Sequence, residues 1–221
     1  MQNTKLFGDL NSNNILIQAT DQRELDNMEM EVRLIRELSG TEDFQLICVP
    51  VQDWNADLSP WPAPAVFAKQ DFAGSAEETL GNLLKILNPI ISQKLGREEV
   101  SLLIGGYSLA ALFALWAATK TDLFQGVAAA SPSAWFPGFT EYLQSNPIKA
   151  GFVYLSLGDK EHKTKNPVMA TVKDSIQQIE TMIRARDIPC VLEWNQGNHF
   201  QEPELRTAKG FAWILKRKAQ K

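Results

Sequence analysis

Apolar and polar residues alternate along this chain in two periods, one helical and one extended. Residues 14–18 (NILIQ) read as an early strand, with a possible partner near residues 5–8. The spacing of Leu25, Met28, Val32, Ile35 and Leu38 predicts a helix over 22–38, and Ser39-Gly40 ends it. Residues 44–51 (FQLICVPV) form a continuous apolar run, as expected of a strand buried on both faces. Residues 52–75 carry Pro60, Pro62 and Pro64 among Asp, Asn and Gly, and read as a long loop. Loops of that length inside a compact domain usually serve function.

From there the pattern is regular. Helices are predicted over 76–95, 109–120, 137–145, 167–187 and 203–218, and strands over 100–105, 126–130, 151–157 and 190–194. Met169, Val172, Ile176, Ile179 and Ile183 mark the stripe of the helix over 167–187. Strands that alternate with helices imply an α/β fold with a mostly parallel central sheet and helices on both faces. Sites in such sheets gather at the carboxyl ends of the strands.

Composition narrows this further. At 221 residues and 44% hydrophobic, with no break in composition, the expectation is one domain over residues 1–221. The net charge is -4 and no long basic run occurs, which argues against nucleic acid as a partner. The longest apolar run, Leu109 to Ala118, is too short to cross a bilayer, and the first thirty residues lack a basic-then-apolar signal segment. A cytoplasmic protein without a membrane partner is expected. Cys48 and Cys190 each sit in an apolar run and read as reduced core thiols. With two histidines and no CxxC a His-rich metal site is excluded, though a carboxylate site is not, and the expectation is no metal and no cofactor.

Three stretches carry candidate chemistry. Gly106-Tyr107-Ser108-Leu109-Ala110 joins the strand over 100–105 to an apolar helix, the context of a nucleophile elbow. A nucleophile on so sharp a turn needs small neighbours two positions away, and Gly106 and Ala110 supply them. The backbone N–H of Leu109 would face a developing oxyanion. Gly197-Asn198-His199-Phe200 falls between the last strand and the last helix, the slot for a catalytic histidine in the order Ser, acid, His. His162, among lysines, reads as a solvated loop residue. Leu157-Gly158-Asp159-Lys160-Glu161 follows the strand over 151–157 and offers two carboxylates. The spacing from Gly158 favours Glu161, while Asp159, nearer the strand, is the alternative acid. A second oxyanion donor is expected in the loop after the strand over 44–51, at the N–H of Asp53 or Trp54. Trp54, Trp61, Tyr107, Trp135 and Phe200 are candidates for a substrate pocket, whereas Trp116 and Trp213 fall in helices and read as core.

The stretch from Gly105 to Phe136 resembles the esterase group of the α/β-hydrolases that contains esterase D and the enterochelin esterases. The shared features are the elbow at Ser108, the small pair Ala110-Ala111, Phe124, and a strand that ends in Ser131-Pro132-Ser133-Ala134-Trp135. The resemblance implies an α/β-hydrolase fold, and the insertion between residues 131 and 151 is too short for a large lid, so a small cap or none is expected. The resemblance also implies ester hydrolysis through a metal-free Ser–acid–His triad, with Ser108 and His199 at the motif positions and Glu161 or Asp159 as acid. Ala110-Ala111 replaces the Gly-Gly often found in the group, and the loop over 52–66 departs from the group's oxyanion loop. The expected partner is a small-molecule ester. An acyltransferase or peptidase on the same residues, or a non-catalytic binding protein of the same fold, are the competing expectations.

Overall fold

The computed structural model describes residues 4–67, 69–94 and 100–220. In chain order, β1 is Lys5–Gly8, β2 Asn14–Thr20, α1 Gln22–Ser39 and β3 Gln45–Pro50. Then come α2 (Trp54–Asp57), β4 (Pro62–Ala63), β5 (Phe72–Ala73), α3 (Ala76–Lys94), β6 (Ser101–Tyr107) and α4 (Ser108–Lys120). The chain continues through β7 (Phe124–Ala130), α5 (Phe139–Ser145), β8 (Phe152–Gly158), α6 (Val172–Arg184), β9 (Cys190–Asn195) and α7 (Pro203–Lys218). Among the described residues the main sheet has seven strands in the order β1-β3-β2-β6-β7-β8-β9. All its pairings are parallel except β1 with β3.

The alternation within strands builds two cores. Ile15, Ile17, Ile47 and Ile104 pack on one face with α3, α4 and α6. Leu16, Leu46, Cys48, Leu103 and Tyr154 pack on the other with α1 and α7. Helix α4 is buried from Leu109 to Thr119, which explains the long apolar run, because a helix apolar all round lies inside the molecule. Among the described residues no helix is long and apolar enough to cross a membrane. Helix α1 begins at a capping box: Asp21 accepts from the Glu24 N–H (2.9 Å), and the Glu24 carboxylate accepts from the Asp21 N–H (3.2 Å).

Several expectations change in the structure. β1 pairs with β3 and not with β2. Parallel crossovers place β2 between β3 and β6, so the outer edge of β3 is the one open to β1. The region 52–75 is not plain loop but holds α2 and the β4–β5 pair, elements too short to leave a period in sequence. The helix over 167–187 divides into a 3-10 turn, Met169–Thr171, and α6. Leu95, the last residue of the helix expected over 76–95, lies outside the described residues. Cys190 and His162 are half-buried.

Candidate active site

The end of β6 and the start of α4 meet at Ser108, which has φ 57°, a left-handed conformation that non-glycine residues seldom adopt. The small neighbours have a direct reason. A Cβ on residue 106 would lie 2.8 Å from the Cβ of Ala110, so the elbow closes only with glycine there. The loop after β7 grips the turn from the side. The Ser133 N–H donates to the Ser108 carbonyl (3.0 Å), and the Ser133 and Ser108 hydroxyl oxygens lie 3.4 Å apart.

The loop after β9 brings in the histidine. His199 Nε2 lies 3.0 Å from Ser108 Oγ, and Nδ1 lies 2.7 Å from Glu161 Oε2. A carboxylate only accepts, so Nδ1 carries the proton and Nε2 is left to accept from the serine hydroxyl. The Tyr107 hydroxyl, pushed up to about 12 by burial, stays protonated and donates to the His199 carbonyl (2.6 Å).

Glu161, and not Asp159, reaches the histidine. Its second oxygen, Oε1, accepts from Ser131 Oγ (2.7 Å), the Gly158 N–H (2.7 Å) and Arg206 Nη1 (3.0 Å). Burial favours the neutral acid. Hydrogen bonding and charge attraction from His199, then the Gly158 and Ser131 bonds, outweigh it and hold the carboxyl below its ordinary value. Asp159 Oδ1 accepts from the Gly197 N–H (2.7 Å) and so ties the acid turn to the histidine loop. Arg206 is 1% exposed and also donates to the carbonyl of Gln196 (3.0 Å), on the same loop.

A cavity of about 270 Å³ opens at Ser108 and His199. Tyr107, Trp54 and Phe200 line it as expected, together with Pro203 and Thr207. Phe200 is 85% exposed. Trp61 and Trp135 are not among its lining residues. Trp61 packs on Phe136, Phe139 and Tyr142 and donates to the Pro137 carbonyl, while Trp135 packs on Phe67 and Phe72. Both close an aromatic cluster behind the β4–β5 pair instead of facing the cavity. Asp53 is not available as an oxyanion donor, because its N–H donates to Asp57 Oδ2 (3.0 Å). Trp54 borders the cavity, but β2, not β3, is the neighbour of β6. The segment after β2 therefore also reaches the cavity, through Asp21 at the cap of α1 and Arg23 and Glu24 in its first turn.

The residues missed by sequence reasoning are Ser131, Arg206 and the acidic lining contributed by α1. Ser131, at φ 44°, lies in the Ser-Pro-Ser-Ala-Trp stretch that carries the resemblance, and that stretch was its signal. Among the described residues no group of three or more His, Cys, Asp or Glu could hold a metal ion.

The sheet, its crossovers and the elbow define the class: this is an α/β-hydrolase fold. The chain belongs to the Putative esterase family, whose profile matches residues 22–199. No curated protein matches it. Among solved structures it is similar to the IroE-like serine hydrolase of Shewanella oneidensis, with a TM-score of 0.77 at 16% identity over 96% of this chain and 75% of that one. It is similar to the siderophore hydrolase EstA of Aspergillus nidulans, with a TM-score of 0.69 at 18% identity over 95% and 84%. A third similar structure is the enterobactin esterase FES of Shigella flexneri, with a TM-score of 0.68 at 14% identity over 98% of this chain and 55% of that one. Family membership supports ester hydrolysis as the activity.

Proposed function

We propose that the protein is a serine esterase that cleaves a small carboxylic ester through an acyl-enzyme, with Ser108 as nucleophile, His199 as base and Glu161 as acid. The observation that carries this reading is the unbroken chain from Ser108 Oγ through His199 to Glu161, at 3.0 and 2.7 Å. Ser108 Oγ attacks the ester carbonyl carbon while its proton passes to His199 Nε2. Glu161 stabilises the imidazolium that forms. The Leu109 N–H faces the oxyanion. Trp54 and Arg23, at the starts of α2 and α1 on the cavity wall, are the candidates for the second donor. The tetrahedral species collapses as His199 returns the proton to the departing alkoxide, which leaves as alcohol. A water that loses its proton to His199 then attacks the acyl-serine, and His199 returns that proton to Ser108 Oγ as the acid is released.

A panel of p-nitrophenyl esters of increasing acyl length, run with wild type and Ser108→Ala, tests the proposal. Wild type is expected to turn over at least one ester, and Ser108→Ala to lose about 10³-fold or more in kcat with its melting temperature kept. Equal turnover by the two proteins contradicts it.

A further inference from the structure

The cavity beside Ser108 has two characters. Trp54, Tyr107, Phe200 and Pro203 make one part apolar, while Asp21, Glu24, Glu31 and Glu204 make the rest acidic. Arg23 is the one Lys or Arg among the described lining residues. Its guanidinium is held by Asp21 Oδ2 (3.1 and 3.2 Å) with its side chain 91% exposed, so it neutralises little of the interior.

Glu31 is the informative residue. It is 4% exposed, it lines the cavity, and its Oε1 has no hydrogen-bond partner. Gln18 Oε1, on the strand beneath, is unpartnered as well. The capping box already uses a Glu24 oxygen, whereas nothing within α1 requires a carboxyl at residue 31. Glu31 stands three residues after Met28 and four before Ile35, on the helix's buried stripe, where Leu or Met would cost less to bury. A buried carboxyl that keeps one oxygen free, beyond the hydrogen bond it shares with the Gln18 side chain, can take a further donor from a ligand in the cavity.

We propose that Glu31, with Glu24 beside it, is the recognition floor of this cavity and takes a primary ammonium group carried by the ester substrate. The proposal deepens the esterase reading and rests on it for the word substrate. An ammonium offers three donors, which Glu31, Glu24 and the Asn27 side chain can share. The cavity, at about 270 Å³, suits a small amine-bearing ester. Burial, and after it the charge of Glu24, raises the Glu31 carboxyl well above its ordinary range, so Glu31 holds its proton while the cavity is empty. The groups that face it are Glu24 on its own helix, Glu204 on α7, Cys48 on β3 and the uncharged Gln18 on β2. An arriving ammonium displaces the Glu31 proton to solvent, and binding tightens as pH rises.

The test is calorimetric titration of the full chain carrying Ser108→Ala, at pH 8, with n-butylammonium and with 1-butanol. Butylammonium is expected to bind at least about 10-fold tighter than the alcohol, the scale of a charge-assisted hydrogen bond. Adding Glu31→Gln is expected to erase that preference. Glu31→Asp, which withdraws the carboxyl by one methylene, should weaken it and serves if the Gln variant does not fold. Equal binding of amine and alcohol, or a preference that survives Glu31→Gln, overturns the proposal. Because no turnover is required, ammonium binding by a protein without esterase activity would remove the hydrolase reading and leave this site standing.

Discussion

Two buried glutamates serve the same pocket under opposite conditions. Glu161 has both oxygens engaged by His199, Ser131, Gly158 and Arg206, and is held below its ordinary value of 4.5. Glu31 is as deeply buried, has an oxygen with no partner, and is raised well above the same value. Burial disfavours the charge on both, so partners decide which carboxyl ionises. At Glu161 the partners come from the loops after β7 and β9, from α7 and from the end of β8, and their bonds fix the position of the histidine. At Glu31 burial and the charge of Glu24 outweigh the hydrogen bond from Gln18, and the carboxyl stays neutral beside a cavity. A carboxyl satisfied from within acts as part of a machine, and one left unsatisfied at a cavity wall is a demand on a ligand.

The comparison can be broken most forcefully at Glu161. Replacing it with Gln keeps the size and removes the charge, and the new amide can hold His199 in the tautomer whose Nε2 no longer accepts. The expected loss in kcat/KM on a neutral ester is about 10²- to 10⁴-fold, and a rate within threefold of wild type contradicts the assignment.

The pH profile sharpens the contrast next. Glu161 is held below its ordinary carboxyl value and so stays ionised through neutral pH; kcat/KM is expected to lose the Glu161 contribution only on acidification below that ordinary value. A Glu161→Gln variant whose profile matches wild type over that acidic range contradicts the assignment.

A smaller effect is expected in stability. Burial, and after it the charge of Asp21, pushes Glu24 up to about 8, and Glu31 is raised also. The folded protein therefore keeps protons that the unfolded chain releases above about 4.5. Stability from these groups is full below that value and declines as pH rises toward 8. Thermal melts should show a smaller decline between pH 5 and 8 in Glu31→Gln than in wild type, and parallel curves for the two contradict the buried-acid account. Glu161 has the reverse sign: its contribution is present above the ordinary carboxyl value and is lost as pH falls through its lowered folded value. The smallest effect belongs to Asp159→Asn, since Asn can still accept from the Gly197 N–H. Less than about a 10-fold change in kcat is expected, on the scale of a modest stability loss.

Much of this was legible in the sequence, for physical reasons that also explain the gaps. The elbow at Ser108 requires small residues at fixed offsets, and Gly106 and Ala110 record that requirement. His199 follows the last strand, and the Gly158–Glu161 spacing pointed to the acid that meets it. Strand order leaves no such trace. The runs that became β2 and β3 are equally apolar, so the second oxyanion donor was sought after β3 alone although β2 is the neighbour of β6. Trp61 and Trp135 illustrate a second limit, because aromatic residues near a site in sequence serve its scaffold as readily as its lining. Arg206 looks in sequence like any basic residue of a helix, and its role depends on three loops meeting it. Glu31 did leave a signal, a charge on the apolar stripe between Met28 and Ile35.

The most direct measurement of the central claim is covalent labelling with a fluorophosphonate, followed by mass spectrometry of the intact protein and its peptides. One adduct per chain is expected, on Ser108, absent from Ser108→Ala and formed far more slowly in Glu161→Gln. An unlabelled wild type, or an adduct on another residue that persists in Ser108→Ala, contradicts the account.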